Sequence, residues 1–235
     1  MNIATLDNVI RQMCEEVSKS SDPQHCWDLR SEENLLYEVA VCTLSSQVVF
    51  EMAVACADTL RTASLFCKRN LKRPDYEGLV LETLSQPVTY LSNGTERKSL
   101  PRFKNRLSRL LSLTAQHLIA TGTTIKSLLK NAESPTHARQ QLVLTVFGFG
   151  PKQASLFLRR IGYCEHLAII DTHIIDYLNF AKATSHSRSK LSSLPYYQTI
   201  EENFRQIADE FGFSVGCVDL AMWVTMRVAK REAYL

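Results

Sequence analysis

The seven cysteines of this 235-residue chain include no CxxC pair. Their scatter spells neither a zinc site nor an iron–sulfur cluster, so no metal and no cofactor is expected. Thiols spaced this way read as small buried hydrophobes. No apolar run approaches the roughly 20 residues that a membrane helix needs. The N-terminal MNIATLDNVIRQM also lacks a basic segment followed by an apolar one. A chain without span or signal is expected to be intracellular, in the cytoplasm, with no membrane partner. Strand-like runs are nearly missing: LAII (167–170) is the one candidate, too short to build a sheet. Glycine is scarce as well, eight in all. Two of them one residue apart, in FGFGPKQAS (147–155), therefore need a reason.

What is present fits a globular chain, with 45% hydrophobic and 22% charged residues. The length allows one core or one domain of two lobes. The net charge of +3 hides an asymmetry. Residues 1–38 hold eight acids against three bases, which leaves 24 bases against 16 acids in the remainder. Arg97, Lys98, Arg102, Lys104, Arg106 and Arg109 fall within 13 residues without an acid. Such a run suits a polyanion, and equally the solvated face of a helix.

Helical periodicity dominates, and the expected class is all-α. ENLLYEVAVCTLSSQVVFEMAVACADTL (33–60) reads as one buried helix or as two broken near Ser45 and Ser46. In LPRFKNRLSRLLSLTAQHL (100–118), Phe103, Leu107, Leu110 and Leu111 form the apolar stripe. SPTHARQQLVLTVF (134–147) opens with a cap serine and a first-turn proline. EENFRQIADEFG and VGCVDLAMWVTMRVAKREAY supply the last helices. Loops are expected at 20–25, 92–101 and 184–195.

The FGFG stretch predicts a tight helical hairpin, with Gly150 as cap, Pro151 at the first helical position and KQASLFLRRIG beyond. Uncovered amides of Gly148 and Gly150 at a helix N-terminus would form an anion site suited to a phosphate. A corner that serves only packing is the plain alternative. On the helical wheel Ala154, Phe157, Leu158 and Ile161 share one side, and Lys152 points the other way with Ser155 and Arg159 near it. A lysine in the first turn sits at the positive end of the helix dipole, which favours the neutral amine, a nucleophile of the Schiff-base kind. A simple phosphate contact is the other reading. Asp171 ends the LAII run before THIIDYLNF, where an N-cap is the ordinary role. Near Lys152 it could also accept a proton or stabilise a developing cation.

The hairpin FGFGPKQASLFLRRIG followed by LAIIDTHI resembles the helix–hairpin–helix DNA glycosylase superfamily, whose pattern LPGVGxKxA is followed by an aspartate in a V-D-T-H-like stretch. The pattern's lysine falls on Lys152 and its aspartate on Asp171. ENLLYEVAVCTLSSQ is similar to the segment ending LLSAQ, whose glutamine fills the gap left by an extruded base; that role would pass to Gln47. PRFKNRLSRLL, ASLFLRRIG and VDLAMWVTMRVAK look like segments of the type 2 archaeal and bacterial 8-oxoguanine glycosylases.

The resemblance implies a two-lobed all-α fold with DNA and a flipped base held between the lobes. Residues 32–164 would form the lobe with the hairpin, and 1–31 with 165–235 the other. The implied activity is a bifunctional DNA glycosylase/AP lyase acting on double-stranded DNA that carries a damaged base, with 8-oxoguanine first. Lys152 would attack C1′ and Asp171 would assist. Gln47, Arg102, Lys104, Arg106, Gly148 and Gly150 would contact DNA. Phe213, Asp219 and Trp223 are candidates for the base pocket, although Trp223 reads equally as core and Asp219 as a surface acid. A monomer is expected. Another modified base, or a non-catalytic DNA-binding module, remains the alternative reading.

Overall fold

In the computed structural model, which describes residues 2–20, 26–46, 48–92, 94–182 and 184–232, twelve α-helices and one β-ribbon are seen among those residues. Helix α1 (Ile3–Ser20) comes first, then α2 (Glu32–Leu44), α3 (Phe50–Thr62), α4 (Lys68–Leu71) and α5 (Tyr76–Leu84). The ribbon joins β1 (Val88–Ser92) to β2 (Thr95–Ser99) in antiparallel register, Val88 opposite Ser99. After it come α6 (Lys104–Thr121), α7 (Ile125–Lys130), α8 (Pro135–Thr145) and α9 (Pro151–Arg160). The chain ends with α10 (Thr172–Ala181), α11 (Leu194–Phe211) and α12 (Val215–Glu232).

Small polar residues write the helix starts. Ser31 accepts from the Asn34 N–H at α2, Thr124 and Ser127 form a reciprocal capping box at α7, and Ser134 accepts from the His137 N–H at α8. Each cap satisfies a donor that the helix itself leaves open.

Two hydrophobic cores result. The first gathers residues from Leu35 to Leu167. The second joins Ala168 to Met226 with Leu6, Ile10 and Cys14 of α1, which packs along α12. The chain thus changes core between Leu167 and Ala168. Trp27 packs on the first core, its ring 5.1 Å from that of Tyr163, and Arg30 pairs with Glu38 of α2.

Three local expectations change. The 33–60 segment is two helices, broken where the sequence offered the choice. The loop expected at 92–101 contains β2, and β1 precedes it: alternation in VTYLS buries Val88, half-buries Tyr90, and Gly94 turns the chain at φ +74°. The loop expected at 184–195 is organised, since Asn179 accepts from the His186 N–H and Tyr196 OH accepts from the Ser187 N–H before α11 begins at Leu194. Among the described residues, no single helix is long and apolar enough to cross a membrane.

Candidate active site

The hairpin between α8 and α9 is anchored to the side of α6. Its two phenylalanines diverge: Phe149 is buried with its ring 6.2 Å from Phe157, while Phe147 turns outward, edge-on to His117 at 6.0 Å. The Phe147 N–H donates to Thr114 Oγ1 of α6 at 3.0 Å. Gly148 takes φ +90°, a conformation that disfavours any side chain, and lies directly against Leu110. Gly150 caps α9 without a side chain, and Pro151 follows at the first helical position. Among the described residues no hydrogen bond uses the N–H of Gly148 or Gly150. The turn therefore presents donors at the positive end of a helix, the arrangement that receives an anion.

Lys152 follows in the first turn of α9, half-buried and without an ion pair among the described residues. Its charge is felt by Cys42 on α2, whose thiol burial pushes up to about 12 while Arg160 and Lys152 act the other way. Helices α2 and α9 pack against each other. Gln47, which follows α2 in the chain, falls outside the described residues.

Asp171 is buried at the start of α10 and caps it: Oδ1 accepts from the His173 N–H at 2.7 Å and the Ile174 N–H at 3.1 Å. Both cap bonds use Oδ1, and Oδ2 takes no hydrogen bond from a described residue. Cap and acid–base partner are thus compatible roles for one carboxylate.

The base-pocket candidates separate. Asp219 is buried, and its two oxygens are taken by the Arg159 guanidinium and the Ile169 N–H, the latter at 2.8 Å. Burial pushes its carboxyl up, with Arg159 acting against that. It serves as a structural anchor, with one hydrogen bond to Oδ1 and two to Oδ2. Phe213 packs on the second core just after Gly212 ends α11. Trp223 is half-buried, with the Arg227 guanidinium 5.0 Å from its ring centroid and His173 edge-on at 6.4 Å. It stands beside the Asp171 cap, with Leu220 exposed on one side and Met226 buried on the other.

Arg102 and Arg106 are exposed and Lys104 is half-buried around the start of α6; none makes an ion pair with a described residue. Between them stands a residue that departs from the sequence pattern. Spacing places Phe103 in the apolar stripe of α6 with Leu107, Leu110 and Leu111. Instead it is 59% exposed and left-handed, at φ 57° and ψ 27°. The ring is thus held bare, in strained backbone, with Arg102 and Lys104 as its chain neighbours. Phe103 is the N-cap of α6, so the helix begins one residue after it and its stripe starts at Leu107.

An open polar cavity of about 510 Å³ lies elsewhere, lined by His117, Thr121, Asn131, His137, Gln141 and Thr145 among others, and it includes neither Lys152 nor Asp171. Among the described residues no group of three or more His, Cys, Asp or Glu side chains could hold a metal ion.

Known proteins share this sequence pattern and this fold. Residues 83–213 match the family model of 8-oxoguanine DNA glycosylase. A Thermoplasma acidophilum protein named 8-oxoguanine DNA glycosylase/AP lyase is 30% identical over 181 residues, covering 76% of this chain and 80% of its own. One of the same name from Saccharolobus solfataricus is 32% identical over 148 residues, 61% of this chain and 70% of its own. The fold is similar to that of the Methanocaldococcus jannaschii 8-oxoguanine glycosylase/lyase, crystallised with a 15mer DNA containing 8-oxoguanine. The TM-score is 0.68 at 23% identity, over 91% of this chain and 94% of that one. The 8-oxoguanine DNA glycosylase of Thermotoga maritima is similar to the same degree, with a TM-score of 0.68 at 21% identity over 94% and 96% of the two chains.

Proposed function

The chain belongs to the 8-oxoguanine DNA glycosylase family, and from that premise we propose that it is a bifunctional DNA glycosylase/AP lyase that removes 8-oxoguanine from double-stranded DNA. Two observations support this reading: Lys152 stands in the first turn of the hairpin helix without an ion pair among the described residues, and Asp171 caps α10 through Oδ1 alone.

The damaged nucleotide leaves the stack and enters between two lobes, 26–167 and the remainder, each built on one of the two cores. The amides of Gly148 and Gly150 hold a backbone phosphate, with Arg102, Lys104 and Arg106 adding contacts that position the duplex without reading its sequence. Gln47 fills the vacated space. Phe103 stacks against an exposed base step beside the lesion, a use for which a bare aromatic ring flanked by cations is suited. Trp223 and Phe213 offer faces for the extruded base.

Lys152 then attacks C1′, and the bond from C1′ to the base breaks as the new C–N bond forms. Asp171 takes the amine proton or stabilises the positive charge developing on the sugar. Ring opening gives an imine on Lys152. Loss of a proton from C2′ expels the 3′ phosphate and cuts the strand, and water finally releases the lysine. One amine thus serves both excision and strand cleavage. No step calls on a metal or organic cofactor. The enzyme acts as a monomer, and a DNA substrate implies a site of action inside the cell.

Borohydride trapping tests this directly. A duplex with 8-oxoguanine should give a covalent adduct with the wild type and none with Lys152→Gln, while Asp171→Asn should lower its rate of formation. Adducts with uracil, thymine glycol or abasic DNA but not with 8-oxoguanine would keep the chemistry and discard the substrate. Binding to all these duplexes without any adduct or cleavage would overturn the enzyme reading.

A further inference from the structure

Each helix of the hairpin sends one arginine across the boundary between the two cores to a buried carboxylate. From α8, Arg139 meets Glu201 of α11 in a two-pronged pair, Nη1 to Oε1 at 2.7 Å and Nη2 to Oε2 at 2.8 Å. From α9, Arg159 meets Asp219 of α12 through both terminal nitrogens, Nη2 to Oδ2 at 2.6 Å. Neither arginine stops there. Arg139 Nη1 also donates to Ser155 Oγ at 3.3 Å, one turn along α9 from Lys152. Arg159 Nη2 also donates to the Leu167 carbonyl at 2.7 Å.

Each carboxylate also accepts from one short piece of backbone, while Glu201 Oε2 takes a further bond from Arg205 at 3.2 Å. Glu201 Oε1 accepts from the Ala168 N–H at 2.9 Å, and Asp219 Oδ2 accepts from the Ile169 N–H at 2.8 Å. Tyr197, whose ring centroid lies 5.3 Å from the Arg139 guanidinium, completes the set. Its OH donates to the Ala168 carbonyl at 2.8 Å and accepts from the Ile170 N–H at 2.7 Å. The three N–H groups immediately before Asp171 are therefore held by side chains.

Stability alone does not account for this cluster. A buried ion pair gains little over an apolar pair of the same volume, since desolvation offsets the attraction. What the pairs do supply is direction. The 167–170 segment belongs to no helix, and among the described residues no strand pairs with it. A catalytic group must be held to within roughly 0.5 Å. We infer that Arg139–Glu201, Arg159–Asp219 and Tyr197 are positioning residues, which hold Asp171 in register with Lys152 by tying its approach segment to both helices of the hairpin. The inference rests on the proposed roles of Lys152 and Asp171.

The test compares Tyr197→Phe, which loses one hydroxyl and keeps the buried ring, with Asp219→Asn and with Ile10→Ala, a control on α1 in the second core. Single-turnover excision of 8-oxoguanine at saturating enzyme, borohydride trapping on abasic DNA, the Kd for the same duplexes and Tm are measured for each. Tyr197→Phe and Asp219→Asn should lose about 10- to 100-fold in the single-turnover rate, the scale of a small misplacement, with Kd unchanged. Ile10→Ala should lower Tm and keep the wild-type rate at a temperature where all are folded. Wild-type rates in folded Tyr197→Phe and Asp219→Asn would overturn the inference. So would a loss of rate in Ile10→Ala that matches theirs. A wild type that neither excises nor traps would instead overturn the proposed function, and this inference with it.

Discussion

Gly148 and Leu110 touch where the hairpin crosses α6: a Cβ built on Gly148 would lie 2.8 Å from Leu110 Cδ1. The leucine end can swing aside, but the φ of +90° cannot be relaxed without moving the turn. Gly148→Ala should therefore cost about 1–2 kcal/mol, the penalty of a side chain in left-handed backbone. It should also weaken binding to duplex DNA. Gly150 has φ −104°, ordinary extended backbone, and its nearest neighbour would be Gln153 Oε1 at 3.7 Å. Gly150→Ala should be the milder change. Thermal melts of the two variants check the order; equal losses would refute the geometric argument.

Phe103 holds a conformation that glycine adopts without strain. Phe103→Gly should gain on the order of 1 kcal/mol in stability and lose excision rate and affinity for lesion DNA. That opposition is the signature of strain kept for function. A variant with unchanged excision kinetics would remove Phe103 from the DNA surface.

The cations around the start of α6 should show in salt dependence. The slope of log K against log salt falls by about 0.9 for every phosphate that a cation no longer neutralises. Arg102→Ser combined with Arg106→Ser should flatten the slope by about 1 to 2 on that basis. Arg73 pairs with Asp75 through two hydrogen bonds, 2.8 and 2.7 Å, and is the contrasting site. Arg73→Ser should leave the slope as it was. Titrations at several salt concentrations decide.

Thiol reactivity should follow burial. Cys26 is exposed and Cys67 half-buried, whereas the other five are buried. Burial pushes Cys14 and Cys42 up to about 12 and Cys56 up to about 11. Near neutral pH these three remain protonated and unreactive. Ellman's reagent should titrate about two thiols in the folded protein, Cys26 and Cys67, and all seven after denaturation. Rapid reaction at Cys14 or Cys42 would contradict the packing of α1 and α2.

The parts of the site legible in the sequence are those set by neighbours in the chain. Helical stripes, serine caps, the Gly148 turn, Lys152 in the first turn and Asp171 before α10 all depend on residues within about four positions, where spacing carries the information. The β-ribbon belongs to this class too, although it is absent from the expected elements. The NG pair between VTYLS and TERKS is its local signal, set in a stretch whose charge and Pro101 otherwise suggest a loop.

Other features depend on residues far apart in sequence. The polar side of α9 looks like a solvated face, yet Ser155 is buried and Arg159 is spent on Asp219, 60 positions away. Asp219 reads as a surface acid or a base contact for the same reason. A side chain's partner across two cores leaves no periodic trace in the chain. By itself the sequence determined the helices, the hairpin and the local placement of Lys152 and Asp171, because short-range sterics and capping decide them. The tertiary structure alone decided which charges face each other and which aromatic stays bare, because burial makes an unpaired polar group costly and so selects partners by position in space.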